Sequence, residues 1–207
     1  MGTVMRSLAS NLLALCCCLP LLAAQASEVK YLDVTHEGEL YTVSMDVLIN
    51  APMNEVWALM SDHRNLAKLS PDTRESVVLS RSTQSDSERI KVVLHPCLLL
   101  FCKDLVKISD VRKISGQKIR YTAVDGMGDF EQAVEVLEFV DQGQRTLMRY
   151  RASLDPAFKV PGLLGTSLME HLIANDLRKT ARNLEKFCPS GLVEKTVRYT
   201  EPRMRNR

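Results

Sequence analysis

The chain has 207 residues, of which 45% are hydrophobic and 25% charged, and its formal net charge at pH 7 is +2. This length suits one domain with additional ends, and the hydrophobic fraction is sufficient for a sizeable buried core. The near-balance of charge gives no indication of nucleic-acid binding, which requires a basic excess.

Residues 1–26 have the pattern of a secretory signal peptide. Arg6 precedes an apolar run from Leu12 to Leu22, and Ala24-Gln25-Ala26 follows as a small-x-small cleavage site. The run is shorter than a membrane span and is interrupted by a proline. We therefore expect an exported protein, periplasmic or secreted. The alternatives are an uncleaved anchor and, because Cys16–Cys18 lie in the run, a lipoprotein.

Polar residues 27–37 are expected to form a lead-in to a domain at 38–188. A first strand is predicted at 41–49, where apolar residues from Tyr41 to Ile49 alternate with mostly polar ones. Pro52 then suits the first turn of a helix, because its missing N–H costs nothing there. A second short helix is expected at 65–69.

Period-two patterns continue to residue 154 and predict six more strands, at 75–81, 90–94, 105–111, 119–124, 130–139 and 146–154. Short turns between them indicate hairpins and therefore an antiparallel sheet. Within 130–139, Val134 and Val136 alternate with Glu131, Glu135 and Glu138, and the alternation is irregular near Leu137. The apolar run Leu98–Phe101 is either a buried strand or a loop that leans into a lipid site or membrane.

A long amphipathic helix is predicted at the end of the domain, running to Phe187. Its apolar residues recur at three- and four-residue steps and so share one face. We expect the first half, Leu164 to Leu172, to border a cavity and the second half, Leu177 to Leu184, to be packed core. The basic tail 189–207 is expected to be disordered, with a transient contact to anionic lipid as the alternative.

The segment Ile49-Asn50-Ala51-Pro52-Met53-Asn54-Glu55-Val56-Trp57-Ala58-Leu59-Met60-Ser61-Asp62, together with the long closing helix, resembles the START-like, helix-grip superfamily. That superfamily includes polyketide cyclases, lipid-transport domains and coenzyme Q-binding proteins, and exported members with a Cys-x-x-x-x-Cys segment look nearest. The resemblance implies an α+β fold in which a curved antiparallel sheet of about six to seven strands wraps around the C-terminal helix. It implies binding of a hydrophobic molecule and leaves the chemistry open.

Without residues 1–26 the cysteines are Cys97, Cys102 and Cys188. On one straight strand the first two Cα atoms would lie about 17 Å apart, against about 6 Å in a disulfide, so a bridge requires a turn between them. We expect a Cys97–Cys102 bridge. His95 with these two cysteines lacks a fourth ligand for a tetrahedral metal site, so no metal is expected.

The sequence contains no hydrolase, zinc-protease or phosphate-loop motif, so it predicts no catalytic residue and no cofactor. The leading interpretation is a carrier of a lipid, isoprenoid quinone or aromatic polyketide-like ligand. The alternatives are a cyclase/dehydrase-type enzyme, which requires two polar groups in hydrogen-bond reach within the cavity, and a non-catalytic assembly factor with a filled interior. Oligomeric state is not indicated. Twelve residues are predicted to contact the ligand: Tyr41, Met45, Val92, Leu94, Phe130, Val134, Met148, Tyr150, Leu164, Leu168, Met169 and Leu172.

Overall fold

The computed structural model describes residues 27–83, 87–98, 101–157 and 166–189. The predicted signal peptide, residue Leu164 and most of the tail lie outside these ranges. Ten strands and three α-helices are present in the described part of the chain, in this order: β1 Glu28–Glu37, β2 Leu40–Ile49, α1 Met53–Ser61, α2 Leu66–Leu69, β3 Thr73–Ser82, β4 Ser87–Leu94, β5 Cys97–Leu98, β6 Phe101–Cys102, β7 Leu105–Ile114, β8 Lys118–Gly128, β9 Phe130–Asp141, β10 Thr146–Pro156 and α3 Thr166–Phe187.

Eight of the strands form one antiparallel sheet, in the order β1-β2-β10-β9-β8-β7-β4-β3. Consecutive strands pair as hairpins from β3 onward, apart from the small β5–β6 hairpin, and β2 closes against β10. The inner face is apolar because each strand alternates: on β2, residues Tyr41 to Ile49 of one parity are all buried. The predicted helix-grip architecture is confirmed, with slightly more strands than expected.

Strand β1 corrects the expectation that 27–37 are a lead-in. These residues pair with β2, and the register shifts between Val29 and Tyr31. This bulge at Lys30 places both Val29 and Leu32 on the inner face, where they pack against the core. The bulge interrupts the period-two alternation of the sequence, so the pattern predicts a polar linker instead of a strand.

The short helices close one end of the sheet. Val56 and Met60 of α1 are buried, and Trp57 packs edge-on against Phe139 of β9. The Asp62 side chain accepts a hydrogen bond from the Arg64 backbone N–H and so caps the 3₁₀ turn before α2. α2 lies against the long helix, and the Asn183 side chain of α3 donates a hydrogen bond to the Leu69 carbonyl of α2 at 2.9 Å.

Helix α3 crosses the concave side of the sheet, and its C-terminal part is packed core. Ala181, Leu184 and Cys188 are fully buried and belong to the main hydrophobic cluster, together with residues of α1, α2 and the sheet. Burial raises the pKa of the Cys188 thiol to about 12, so this cysteine is an inert core residue. None of the helices in the described ranges is long and apolar enough to cross a membrane.

Candidate functional site

A cavity of about 250 Å³ lies between the sheet and α3. Its walls come from strands β2, β4, β7, β8, β9 and β10, from the α2–β3 connection, and from one face of α3. Most lining side chains are aliphatic, aromatic or methionine, which is the composition of a small-molecule pocket. The helix contributes residues at three- and four-residue steps, namely Met169, Leu172, Ile173, Asp176, Leu177 and Thr180.

The structure brings nine of the twelve predicted residues together around this cavity. Two others do not line it, and Leu164 lies outside the described residues. Whether these side chains contact a ligand stays a prediction. The nine are Tyr41, Met45, Val92, Leu94, Phe130, Met148, Tyr150, Met169 and Leu172.

The division of the long helix differs from the prediction. Leu168 is half-buried but does not line the cavity, whereas Leu177, expected in the packed core, does. In the described part of the helix the cavity face extends from Met169 to Thr180, and the packed end begins at Ala181. The curvature of the sheet decides where it meets the helix, and the 3.6-residue period does not contain that information.

Val134 is the other residue that does not line the cavity, and the reason is a bulge. Gln132 pairs with Asp155 but Phe130 pairs with Pro156, so Glu131 is an extra residue in β9. Alternation restarts after it, and Ala133, Glu135 and Leu137 face inward. Val134 therefore lies on the opposite face, and a carboxylate takes the inward position that the sequence pattern had given to valine.

The inward carboxylate is the centre of a polar cluster within the apolar wall. The Tyr150 hydroxyl donates to Glu135 Oε2 at 2.7 Å, and Lys107 Nζ forms an ion pair with Glu135 Oε1. The lysine and glutamate side chains are only 11% and 13% exposed. Burial, followed by the Glu135 carboxylate, raises the pKa of Tyr150 well above its usual range, so this phenol keeps its proton.

Sequence reasoning did not select Lys107 or Glu135. Lys107 has the same strand parity as Leu105 and Val111, which are buried, and Glu135 has the parity of Leu137. A charged residue on an otherwise apolar strand face is the signal that could have found both. The 28-residue separation of the pair hides the partnership in the sequence.

A second polar group lies where α3 meets the α2–β3 connection. Asp176 accepts hydrogen bonds from the Ser70 hydroxyl at 3.0 Å and from the Asp72 backbone N–H at 3.3 Å. Burial, with a smaller contribution from the Asp72 carboxylate, raises the pKa of Asp176. Burial likewise raises the pKa of Asp72. Both residues line the cavity, and the hydrogen bonds to the Asp176 carboxyl hold α3 against the α2–β3 connection.

His63 supports the cavity wall from behind. It is 1% exposed, and its Nδ1 lies 3.3 Å from the hydroxyl of Tyr121, which lines the cavity. Burial lowers the pKa of His63 to about 4, so the imidazole is neutral at pH 7. Its Nε2 lies 3.5 Å from Glu88 Oε2, at the outer limit of a hydrogen bond. The imidazole therefore positions Tyr121 and does not act as a cation.

Cys97 and Cys102 are joined in a disulfide across the β5–β6 hairpin, with Cα atoms 4.1 Å apart. The turn that such a bridge requires is therefore in place. The Nδ1 atom of His95 contacts Asp104 at 2.5 Å, and a ring nitrogen of His95 lies near both sulfurs, but bridged sulfurs are not thiolate ligands for a metal. Leu99 and Leu100, in the run expected to be buried or lipid-facing, lie outside the described residues.

Arg149 and Arg151 lie on the outer face of the sheet, because the intervening Tyr150 points into the cavity. Arg151 pairs with Asp46 at 2.6 Å, and Arg149 lies 3.7 Å from Glu138 and 3.9 Å from Asp46. These arginines are thus satisfied outside the cavity, and they are not placed to hold an anionic head group inside it.

Comparison with solved structures places the fold among START-like proteins. A START superfamily protein from Mycobacterium smegmatis is 18% identical, with a TM-score of 0.57 over 72% of this chain and 97% of that one. A Streptomyces aromatase/cyclase is 14% identical, with a TM-score of 0.58 over 78% and 98%. A STAR-related lipid transfer protein from Xanthomonas axonopodis is 18% identical, with a TM-score of 0.56 over 78% and 94%. At these identities the likeness establishes the fold alone.

No curated protein matches the sequence. A family model described as polyketide cyclase/dehydrase and lipid transport matches residues 41–188, which is more than half of the chain and covers β2 through α3. Together with the eight-stranded sheet gripping α3 around a cavity, this match establishes that the chain belongs to the polyketide cyclase/dehydrase and lipid transport family, in the START-like superfamily.

Proposed function

We propose that this protein is an exported carrier that holds one hydrophobic ligand between the sheet and α3. The single observation that supports it most is the apolar cavity of about 250 Å³. Transfer of ligand surface from water to such walls is favourable by about 25 cal/mol per Å², and it needs no catalytic group. A filled interior would have favoured an assembly factor instead.

Cavity size restricts the class of ligand. Small-molecule pockets have volumes of about 300–1,000 Å³, and this cavity, at about 250 Å³, is slightly smaller than that range. A compact aromatic or short isoprenoid body fits inside. A long polyprenyl or acyl chain would have to extend out of the cavity. The proposal therefore favours the head and first part of a quinone, lipid or polyketide-like molecule as the buried portion.

Export is part of this proposal and rests on two features. Residues 1–26 have the three-part pattern of a signal peptide. The Cys97–Cys102 disulfide is of a kind that persists in oxidising compartments and is rare in the cytosol. Periplasmic or secreted carriage of a water-insoluble molecule would need this type of enclosed binding site.

An enzyme of the cyclase/dehydrase type is the second candidate, because Glu135 and Tyr150 are in hydrogen-bond reach within the cavity. Two facts favour carriage. Both oxygens of Glu135 are already engaged, by Tyr150 and by Lys107. The pKa of Tyr150 is raised mainly by burial, so it would donate a proton poorly as well as fail to act as a base near pH 7. The cluster thus suits recognition better than proton transfer.

The test is native mass spectrometry and solvent extraction of the protein, purified without detergent after export. Carriage predicts one bound hydrophobic molecule whose mass does not change during prolonged incubation. An altered mass would favour the enzyme. An empty protein that also fails to bind a neutral dye such as N-phenyl-1-naphthylamine would contradict both.

Two variants of α3 provide matched controls. Leu172→Trp places an indole in the cavity and should reduce the retained ligand and dye binding at least severalfold. Leu168→Trp makes the same change one turn earlier, at a half-buried residue that does not line the cavity, and should retain both. Equal effects at the two positions would contradict the location of the site.

A further inference from the structure

The Lys107–Glu135 ion pair lies where folding alone gives little reason for one. The two side chains line an apolar cavity, close to the Phe130 ring, whose centroid is 5.9 Å from Lys107 Nζ. Desolvation of a buried pair generally offsets its Coulomb attraction, so apolar residues of similar volume would stabilise the fold as well or better. A role in recognising the ligand accounts for a charged pair at this position.

The hydrogen-bonding capacity of the cluster defines what it can recognise. Glu135 accepts from Tyr150 at Oε2 and from Lys107 at Oε1. The Lys107 ammonium carries three N–H donors, and within the described part of the chain Glu135 is its only hydrogen-bond acceptor. Donors therefore remain on Lys107 at the cavity wall, while the acceptor side of the cluster is largely used. The group that Lys107 can still bind is therefore an oxygen atom that accepts a hydrogen bond.

The charge of the cavity indicates that this acceptor is neutral. The charge on Lys107 is balanced by Glu135, and two further carboxyl groups, Asp72 and Asp176, also line the cavity. A carboxylate ligand would add a negative charge to walls that carry three acidic groups and one basic group, and a low dielectric makes that unfavourable. A carbonyl oxygen accepts from the ammonium without adding charge.

We infer that Lys107, held by Glu135 and Tyr150, is the head-group subsite of the cavity and binds a neutral ligand through a carbonyl oxygen. This inference rests on the proposed carrier function. It refines that function by naming the polar end of the ligand, which would be a ketone, quinone or ester rather than a fatty acid or an amine.

The experiment uses four probes that share one aromatic body: 2-acetonaphthone, 2-ethylnaphthalene, 2-naphthoate and 2-naphthylmethylamine. Their dissociation constants are measured by titration calorimetry at pH 7. A hydrogen bond from the charged ammonium favours the ketone over the ethyl compound, so the ketone should bind roughly tenfold more tightly, which corresponds to about 1.4 kcal/mol. The carboxylate should bind more weakly than the ketone.

The double variant Lys107→Met/Glu135→Gln removes the pair without leaving an isolated buried charge. In this variant the tenfold advantage of the ketone over the ethyl compound should disappear. The matched control is Lys91→Met/Glu75→Gln, which removes an ion pair of 3.3 Å between β4 and β3 that does not line the cavity. That control should retain the advantage.

The outcomes separate the two proposals. Equal binding of ketone and ethyl compound, a ketone advantage that survives in the double variant, or tightest binding of the carboxylate would overturn the head-group subsite and leave the carrier intact. Tightest binding of the amine would overturn it too and point to Asp72 and Asp176. If neither the ketone nor the ethyl compound binds, the carrier function itself fails.

Discussion

Replacing Lys107 alone with methionine should destabilise the protein strongly. The change leaves Glu135, whose side chain is 13% exposed, without its cationic partner in an apolar wall. Loss of one member of a buried ion pair costs about 3–5 kcal/mol, and partial access to the cavity suggests the lower end, about 3 kcal/mol. At about 2–4 °C per kcal/mol for a domain of this size, the melting temperature should fall by about 6–12 °C.

The double variant Lys107→Met/Glu135→Gln should recover most of that loss. Glutamine can still accept the hydrogen bond from Tyr150, and no uncompensated charge remains. Its free energy of unfolding should lie within about 1 kcal/mol of the unmodified protein, because apolar replacement of a buried pair is often neutral or stabilising. Lys91→Met is the matched change in a less buried ion pair, whose side chains are 33% and 44% exposed, and it should cost no more than about 1 kcal/mol.

Urea denaturation followed by circular dichroism measures all of these free energies. The reasoning is refuted if Lys107→Met is as stable as the unmodified protein, since the ion pair would then be solvated rather than buried. It is also refuted if the double variant is no more stable than the single one, because the loss would then come from packing of the lysine stem and not from an isolated charge.

Three further predictions concern the rim, the helix and the hairpin. The folded-state pKa of Asp176 is raised, chiefly by burial, so its contribution to stability is present below the unfolded carboxyl pKa of about 4 and is lost as pH rises through the folded pKa. The free energy of unfolding of Asp176→Asn should therefore match that of the unmodified protein at pH 4 and exceed it at pH 8. Parallel pH–stability curves would contradict this. Leu184→Ala in the packed end of α3 should lower the free energy of unfolding by about 3–5 kcal/mol. Leu172→Ala beside the cavity should lower it by about 1 kcal/mol, because fewer atoms surround that side chain. Equal losses in urea denaturation would mean that no cavity is present beside Leu172. Reduction of the Cys97–Cys102 bridge should lower the free energy of unfolding by about 2 kcal/mol. Thiol titration of unfolded protein lacking residues 1–26 should count one free thiol before reduction and three after it. Three thiols before reduction would exclude the bridge.

The fold could be predicted because its signals are local. On β2 every second residue from Tyr41 to Ile49 is apolar, and the segment around Pro52 combines the end of a strand with the start of a helix. Patterns of this kind determine the type of each element without reference to distant residues. Most residues of the cavity wall could be predicted as well, because the inward residues of a sheet that curves around a helix lie beside that helix.

The misassigned strand residues have one physical cause, which is that the position of each depends on a partner strand. Bulges at Lys30 and Glu131 shift the parity of β1 and β9, so strict alternation predicts a linker in place of the first strand and an inward position for Val134. A bulge is defined by pairing with a neighbouring strand, and one segment of sequence does not record it. Glu135 took the inward position only because of that shift.

The polar cluster was missed for the same reason. Lys107 and Glu135 meet from strands 28 residues apart, and each alone reads as an ordinary surface charge on a sheet. The position of Leu177 on the cavity wall similarly depends on how the sheet curves beneath α3. The sequence patterns therefore do not show which residues of different strands and helices come into contact, and the polar cluster of the cavity is formed by such contacts.

The central claim is that the cavity binds a hydrophobic ligand, and methionine methyl NMR tests it directly. Four methionines line the cavity, Met45, Met60, Met148 and Met169, and Met127 is 45% exposed away from it. Titration of ¹³C-methyl-labelled protein with 2-acetonaphthone should shift the four lining signals through the ring current and leave Met127 unchanged. Unchanged lining signals at saturating probe, or a shift confined to Met127, would contradict the account.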